Sequence, residues 1–254
     1  MKYIPFNILL LLILVSCKEP VKSGSMVVAT NSWTAAFAKT AGAKNVIILA
    51  PFEMSHPAEY ELRAADIPVI MHAKVVIFAG YETMVKRLQS GLDLKKESLL
   101  KIDTDYSMAT IEKSVMEIAQ RLGTEKIALQ NLDSIRHLMA DARVQFDKSG
   151  MNATPVLVNF FQQSIVKEMG FEVAGVFGPS ALEATDINRM AKLRSLMIID
   201  NEHNPVGKPL IKVKEGAVYR QLLNFPGMHL TTSLQEVIKY NILQLNSTLG
   251  NSKE

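Results

Sequence analysis

Two series of short apolar runs, each run followed by a helix-patterned segment, constrain this chain more than any other feature. Met26 to Thr30 (MVVAT), Asn45 to Ala50 (NVIILA), Lys74 to Ala79 (KVVIFA) and Leu99 to Asp103 (LLKID) form the first series. These runs lack the polar–apolar alternation of a strand that is wet on one face. Strands of that kind, alternating with helices, indicate a parallel sheet covered on both sides. Asn31 and Ser32 are helix N-cap types, and the helix they start is predicted to run through Ala35, Phe37 and Ala38 to a stop at Gly42. A weakly patterned helix is expected after the His56 loop up to about Ala65, and another from Thr83 to Leu88.

From Met108 the period changes. Ile111, Val115, Ile118 and Leu122 keep helical spacing, Gly123 interrupts it, and Ile127 to Phe146 resumes it up to Lys148-Ser149-Gly150. A helix of about twenty residues spans roughly 30 Å, the width of a small domain. The second series then begins: Pro155 to Asn159 (PVLVN), Phe171 to Phe177 (FEVAGVF), Ser195 to Asp200 (SLMIID) and Ala217 to Asn224 as strands. Helices are predicted over Phe160 to Met169, Glu183 to Arg194 and Leu234 to Leu245. The chain therefore reads as α/β, with two lobes, each a mostly parallel sheet flanked by helices. One long helix joins them, and their strand ends can face each other across a cleft. The expected divisions are 26–123 for the first lobe, 124–149 for the connecting helix and 150–254 for the second lobe.

The chain opens with Lys2 and an unbroken apolar run from Ile8 to Val15. That run is shorter than the roughly 20 apolar residues needed to span a bilayer, and it fits a secretory leader over residues 1–16. Leu14-Val15-Ser16-Cys17 resembles the lipobox of bacterial lipoproteins, in which the cysteine becomes the lipidated N-terminus. Cys17 is the only cysteine. The mature chain is thus expected to carry a lipid on Cys17, a polar tether over residues 17–25, and neither disulfide nor thiolate metal ligand. The formal charge of +3 falls to +2 when the leader takes Lys2 with it, and basic and acidic residues are interspersed. No basic stripe points to nucleic acid.

No GxSxG elbow, GxxxxGK[ST] loop, HExxH pair or cysteine nucleophile occurs in the mature chain, which weighs against an enzyme. The first strand–helix turn, ATNSWTA, lacks the glycine-rich loop that cradles phosphates. The side chains that remain of interest sit just beyond strand ends. His56, in Ser55-His56-Pro57-Ala58-Glu59-Tyr60, follows the second strand, where open α/β sheets place ligand contacts. Asp200, Glu202 and His203 follow a strand of the second lobe, and His229 follows Gly227. His72 and His137 read as surface histidines. Trp33, the only tryptophan, either packs under the loop or lines a pocket.

Taken in order, these parts resemble the metal-binding solute-binding lipoproteins of bacterial ABC importers that take up zinc and manganese. MVVATNSWTAAFAKTAGAKNVIILAPFEMSHPAEYEL is similar to that family's opening strand, helix, strand and HxxE loop, with His56 and Glu59 in register. AKVVIFAGYE is similar to its next strand and turn. TPVLVNFFQQSIVKEMGFEVAGVF resembles the opening of its second lobe, and LLNFPG with the terminal helix resembles its ending. The resemblance covers nearly all residues after the tether at the level of order and spacing.

The resemblance implies an extracytoplasmic protein, tethered to a membrane by lipid, that hands a divalent metal to an ABC permease. It also implies a stiff connecting helix and four metal ligands in the cleft. Those four positions fall here on His56, Asp103, Asn159 and Asn224, with Asp105 as an alternative to Asp103. Three of the four depart from the family's usual histidine and carboxylate types. Amide oxygens are poor zinc ligands and suit calcium or manganese with added waters. Glu202 and His203 are possible compensating ligands. The cleft then holds zinc or manganese, or the metal site is degenerate. In the degenerate case the same fold serves a small organic ligand, an adhesin role or an accessory role.

Overall fold

The computed structural model describes residues 26–92 and 94–247. The leader, Cys17 and the tether lie outside these residues. In the first lobe β1 (Val27–Ala29), β2 (Val46–Ile48), β3 (Val75–Phe78) and β4 (Leu99–Lys101) form one sheet in the order β2-β1-β3-β4. Every pairing in it is parallel. In the second lobe β5 (Val156–Asn159), β6 (Val173–Phe177), β7 (Met197–Asn201) and β8 (Val218–Leu222) repeat that topology as β6-β5-β7-β8, again all parallel. The unalternating runs have the expected cause. Central strands β1, β3, β5 and β7 are buried at every position, because helices cover both faces.

Helix α1 (Ser32–Thr40) is capped by Asn31, whose side chain accepts from the Thr34 N–H at 2.9 Å while the Thr34 hydroxyl takes the Asn31 N–H. That reciprocal cap satisfies two of the donors a helix start leaves free. Ala35, Ala36 and Ala38 let α1 lie buried among its neighbours at every position but Lys39. Helix α2 (Asp66–Met71) lies beyond the stretch where a helix was expected. After His56 the chain makes only a 3-10 turn over Pro57–Glu59 and then runs extended from Tyr60. Asp66 decides where the helix starts: its carboxylate accepts from the Tyr60 hydroxyl and the Arg63 N–H, both at 2.8 Å. Pro68 falls in the first turn of α2, where its missing N–H is not needed. Helix α3 (Val85–Ser90) completes the lobe.

Helices α4 (Met108–Leu122) and α5 (Glu125–Ser149) follow. The 25 residues of α5 give a rod of roughly 37 Å at 1.5 Å per residue. Its buried stripe, Ala128, Leu132, Ile135, Met139, Ala142 and Phe146, steps by four and three residues. Gly150 ends it in the left-handed conformation, φ 69°. One continuous apolar core takes in that stripe, Phe37 and Ile111 of the first half, and Val156, Ile165 and Leu222 of the second. A shared core running along α5 ties the lobes together far more firmly than a loose linker would.

The second lobe adds α6 (Gln163–Glu168), α7 (Ala184–Ala191), α8 (Lys208–Ile211) and α9 (Leu234–Asn246). Helix α9 packs its Leu234, Val237, Ile238 and Leu245 into the shared core. Direct contacts also cross between the halves: the Ser32 hydroxyl donates to the Pro226 carbonyl at 2.7 Å, and Glu168 accepts the Met108 N–H at 2.9 Å. Among the described residues no helix is long and apolar enough to cross a membrane.

Candidate functional site

In each sheet the order reverses once, between β1 and β3 in the first lobe and between β5 and β7 in the second. Open parallel sheets bind ligands just outside the carboxyl ends of the strands at such reversals. Here the two reversal points open onto one cavity of about 450 Å³. Asn31 and Trp33 reach it from the end of β1, His56 to Glu59 from beyond β2, and Tyr81 from beyond β3. From the second lobe come Phe161 after β5, Pro179 after β6, Asn201, His203 and Asn204 at and beyond the end of β7, and Asn224 with Phe225 after β8. This is the candidate ligand cleft between the lobes.

The first-lobe wall is organised by a buried carboxylate. Glu82, 3% exposed, accepts from the Thr30 hydroxyl (2.6 Å), Asn31 Nδ2 (3.2 Å), and the N–H groups of Ala79 (3.0 Å) and Gly80 (2.7 Å). It binds the end of β1 to the turn after β3, which presents Tyr81 to the cleft. The Tyr81 ring is half exposed, but its hydroxyl end lies near Asn31 and Thr104, and loss of solvent pushes its pKa up. His56 is exposed, and its imidazole makes no hydrogen bond among the described residues. The backbone around it is fastened by the Glu59 N–H on the His56 carbonyl at 3.0 Å.

A second buried carboxylate plays the same part across the cleft. Asp200, fully buried, accepts from Asn159 Nδ2 (2.9 Å), the Asn201 N–H (2.8 Å), the Gly207 N–H (2.6 Å) and the Tyr219 hydroxyl (2.6 Å). Asn201 in turn accepts the His203 N–H at 3.1 Å. The His203 ring lies against Phe225, centroids 3.7 Å apart, and its Nδ1 accepts the Asn224 N–H at 3.3 Å. Its Nε2 is buried without a partner, as are Asn224 Oδ1 and Trp33 Nε1. Loss of solvent, then the nearby His229 and His56, pushes the His203 pKa down to about 4. The ring is therefore neutral at pH 7.

The residues singled out in the sequence meet different fates. His56, Asn224 and His203 line the cleft. Asn159 stands at the end of β5, but both ends of its amide are engaged, by Asp200 and by the Phe161 N–H at 3.1 Å. Asp103 is placed away from the cleft. Its carboxylate pairs with Lys113 at 2.8 Å, both side chains 60% exposed, and that partner holds its pKa below the usual range. The cause is local: α4 begins five residues on and brings Lys113 back over the end of β4. Asp105 folds onto the start of α4, accepting from the Ser107 N–H (2.6 Å) and the Thr110 hydroxyl (3.0 Å). It stands on the wall of a second groove that shares Trp33 and Phe161 with the cleft.

Glu202 is also turned aside. It accepts from His229 Nε2 (2.5 Å) and the Tyr240 hydroxyl (3.0 Å), and the His229 ring stacks on Tyr240 at 4.7 Å. Trp33 lines the cleft and packs on Tyr106 with centroids 5.8 Å apart. His72 and His137 bond to carbonyls of their own helices, His137 also standing 3.6 Å from the Asp133 carboxylate, and both are surface residues. Among the described residues no group of three or more His, Cys, Asp or Glu side chains is placed to hold a metal ion. Sequence reasoning missed Asn31, Tyr81, Phe161 and Asn201. Their signal was position alone, immediately after strands that only the sheet order reveals as central.

Neither a family model nor a curated protein matches the chain. Solved structures do match. One is the SBP FpvC from P. aeruginosa in complex with a Ni2+ ion, at 18% identity and TM-score 0.66, covering 87% of this chain and 94% of that one. Another is a Mn-bound periplasmic metal-binding protein from Candidatus Liberibacter asiaticus, at 14% identity and TM-score 0.62, covering 87% and 97%. A Cd-bound form of the latter matches equally well. The fold is thus that of the solute-binding proteins whose resemblance the sequence carries.

Proposed function

We propose that this chain is an extracytoplasmic solute-binding protein that captures a divalent metal, zinc or manganese, in the cleft between its lobes and hands it to an ABC permease. On this reading residues 1–16 are a lipoprotein leader and Cys17, lipidated, anchors the protein to a membrane through the 17–25 tether. Residues 26–123 and 150–254 act as the two lobes, and 124–149 as the strut between them. The role is capture and release, with no covalent step.

The observation that carries the reading is His56. Its unpaired imidazole stands on one wall of the cleft and faces a second-lobe wall on which Asn224 Oδ1 has no partner. Imidazole suits zinc and other first-row metals, and an amide oxygen suits manganese. The solved neighbours, one holding Ni2+ and another holding Mn, support a metal as cargo. Asp103, Asn159 and Glu202, committed to other partners, do not complete the site. The alternative, a small organic ligand in a degenerate metal site, is favoured by the aromatic lining of the cleft.

Thermal melting of the purified chain with zinc, manganese and calcium tests the proposal. A ligand that binds only the folded state stabilises it by about 2.7 kcal/mol at a hundred times its dissociation constant. The expected result is a metal-dependent rise in Tm that His56→Ala abolishes. A rise that survives His56→Ala, or no rise with any metal in any form, refutes the assignment.

A further inference from the structure

We propose that the cargo of this cleft is a divalent metal already held by a small carboxylate-bearing chelator. His56 fills an open coordination position on that metal, and the His203 Nε2–H donates to a chelator oxygen. This rests on the function proposed above and narrows its substrate class.

The donor count comes first. A closed protein site for a transition metal takes about four ligands, mostly imidazole, thiolate or carboxylate. The cleft offers the His56 imidazole, the Asn224 amide oxygen and the exposed carboxylate of Glu59. No trio of strong ligands is grouped anywhere among the described residues. An ion that binds here brings most of its coordination shell with it.

Size and lining agree. The cavity of about 450 Å³ falls in the range of about 300–1,000 Å³ typical of small-organic-molecule sites. Its wall includes Trp33, Tyr81, Phe161, Phe225 and Pro179, surfaces that bury an organic skeleton rather than solvate an ion.

The hydrogen-bond inventory supplies the chemistry. Because His203 Nδ1 accepts the Asn224 N–H, the neutral ring carries its proton on Nε2. A nitrogen that carries its proton is a donor, not a metal ligand. That N–H and the Trp33 Nε1–H are both buried and unpartnered. What both lack is an acceptor oxygen. Carboxylates on a chelator provide such oxygens and offset the charge of the metal, which the nearly uncharged wall does not.

Nitrilotriacetate is a suitable probe, since it leaves coordination positions on Zn2+ open, whereas EDTA fills them. Native mass spectrometry and titration of the purified, untagged chain compare Zn2+ alone, Zn2+–nitrilotriacetate, Zn2+–EDTA and nitrilotriacetate alone. The expected result is an intact ternary complex with Zn2+–nitrilotriacetate, at least tenfold tighter than Zn2+ alone, and no retention of Zn2+–EDTA. His56→Ala weakens the complex at least tenfold. His203→Phe, which keeps a ring against Phe225 but removes the N–H, weakens Zn2+–nitrilotriacetate by a larger factor than it weakens Zn2+ alone, and equal weakening of the two overturns the role given to that N–H. If the protein strips bare Zn2+ from nitrilotriacetate, the chelate inference falls and the metal reading stands. Retention of nitrilotriacetate equally well without zinc, or no binding in any arm, overturns both.

Discussion

Acidification singles out His203. The cleft holds its folded-state pKa at about 4, through loss of solvent and then the neighbouring His229 and His56, against 6.5 for the exposed ring. The unfolded chain therefore takes up this proton first. The neutral ring's contribution is fully present above pH 6.5 and is lost as pH falls from 6.5 toward 4. Linkage gives a loss of at most about 2 kcal/mol by pH 5 and about 3 kcal/mol once pH passes 4. Other groups titrate in the same window, so the assay compares wild type with His203→Gln. Urea unfolding in EDTA at pH 7.5 and pH 5.0 gives four stabilities. His203→Gln removes the acceptor of the Asn224 N–H at both pH values, a constant that cancels. Wild type should lose about 2 kcal/mol more than the variant between the two pH values. Equal losses would show that the ring is solvated and that the cleft is open to water at its second-lobe wall.

Asp200→Ala leaves four donors around a buried void and should destabilise the protein by about 3–5 kcal/mol in urea unfolding, with Asp200→Asn costing less. Gly227 has φ 137°, and a Cβ there would lie 2.7 Å from the Phe52 carbonyl oxygen of the first lobe. Gly227→Ala should therefore cost at least about 2 kcal/mol, and wild-type stability in the variant would refute that close approach. Asp103→Asn should change neither Tm nor cargo affinity, because its pair with Lys113 is exposed. A tenfold loss of affinity in that variant would put Asp103 back in the cleft.

Much of the architecture was legible before any coordinates. Unalternating runs such as KVVIFA and PVLVN bury both faces, so they dictated parallel sheets under helices. The heptad-like spacing from Ala128 to Phe146 dictated a long helix buried along one stripe. The segment after His56 was less legible. Its helix start hangs on the Asp66 carboxylate reaching back to Tyr60 and Arg63, a contact with no periodic signature.

For the site, the sequence alone determined that His56 would stand beyond a strand end, because the apolar run before it leaves nowhere else to go. It could equally place Asp103, Asn159, Asp200 and Glu202 beyond strand ends, but not say which of them would stay free. Only tertiary structure decided that. Lys113 returns on α4 to claim Asp103, Asp200 draws Asn159 and Tyr219 inward, and Tyr240 on α9 draws Glu202 aside. The physical reason is that a carboxylate near a strand end takes whichever donors the packed chain brings to it. Those donors come from elements up to 41 residues away in sequence.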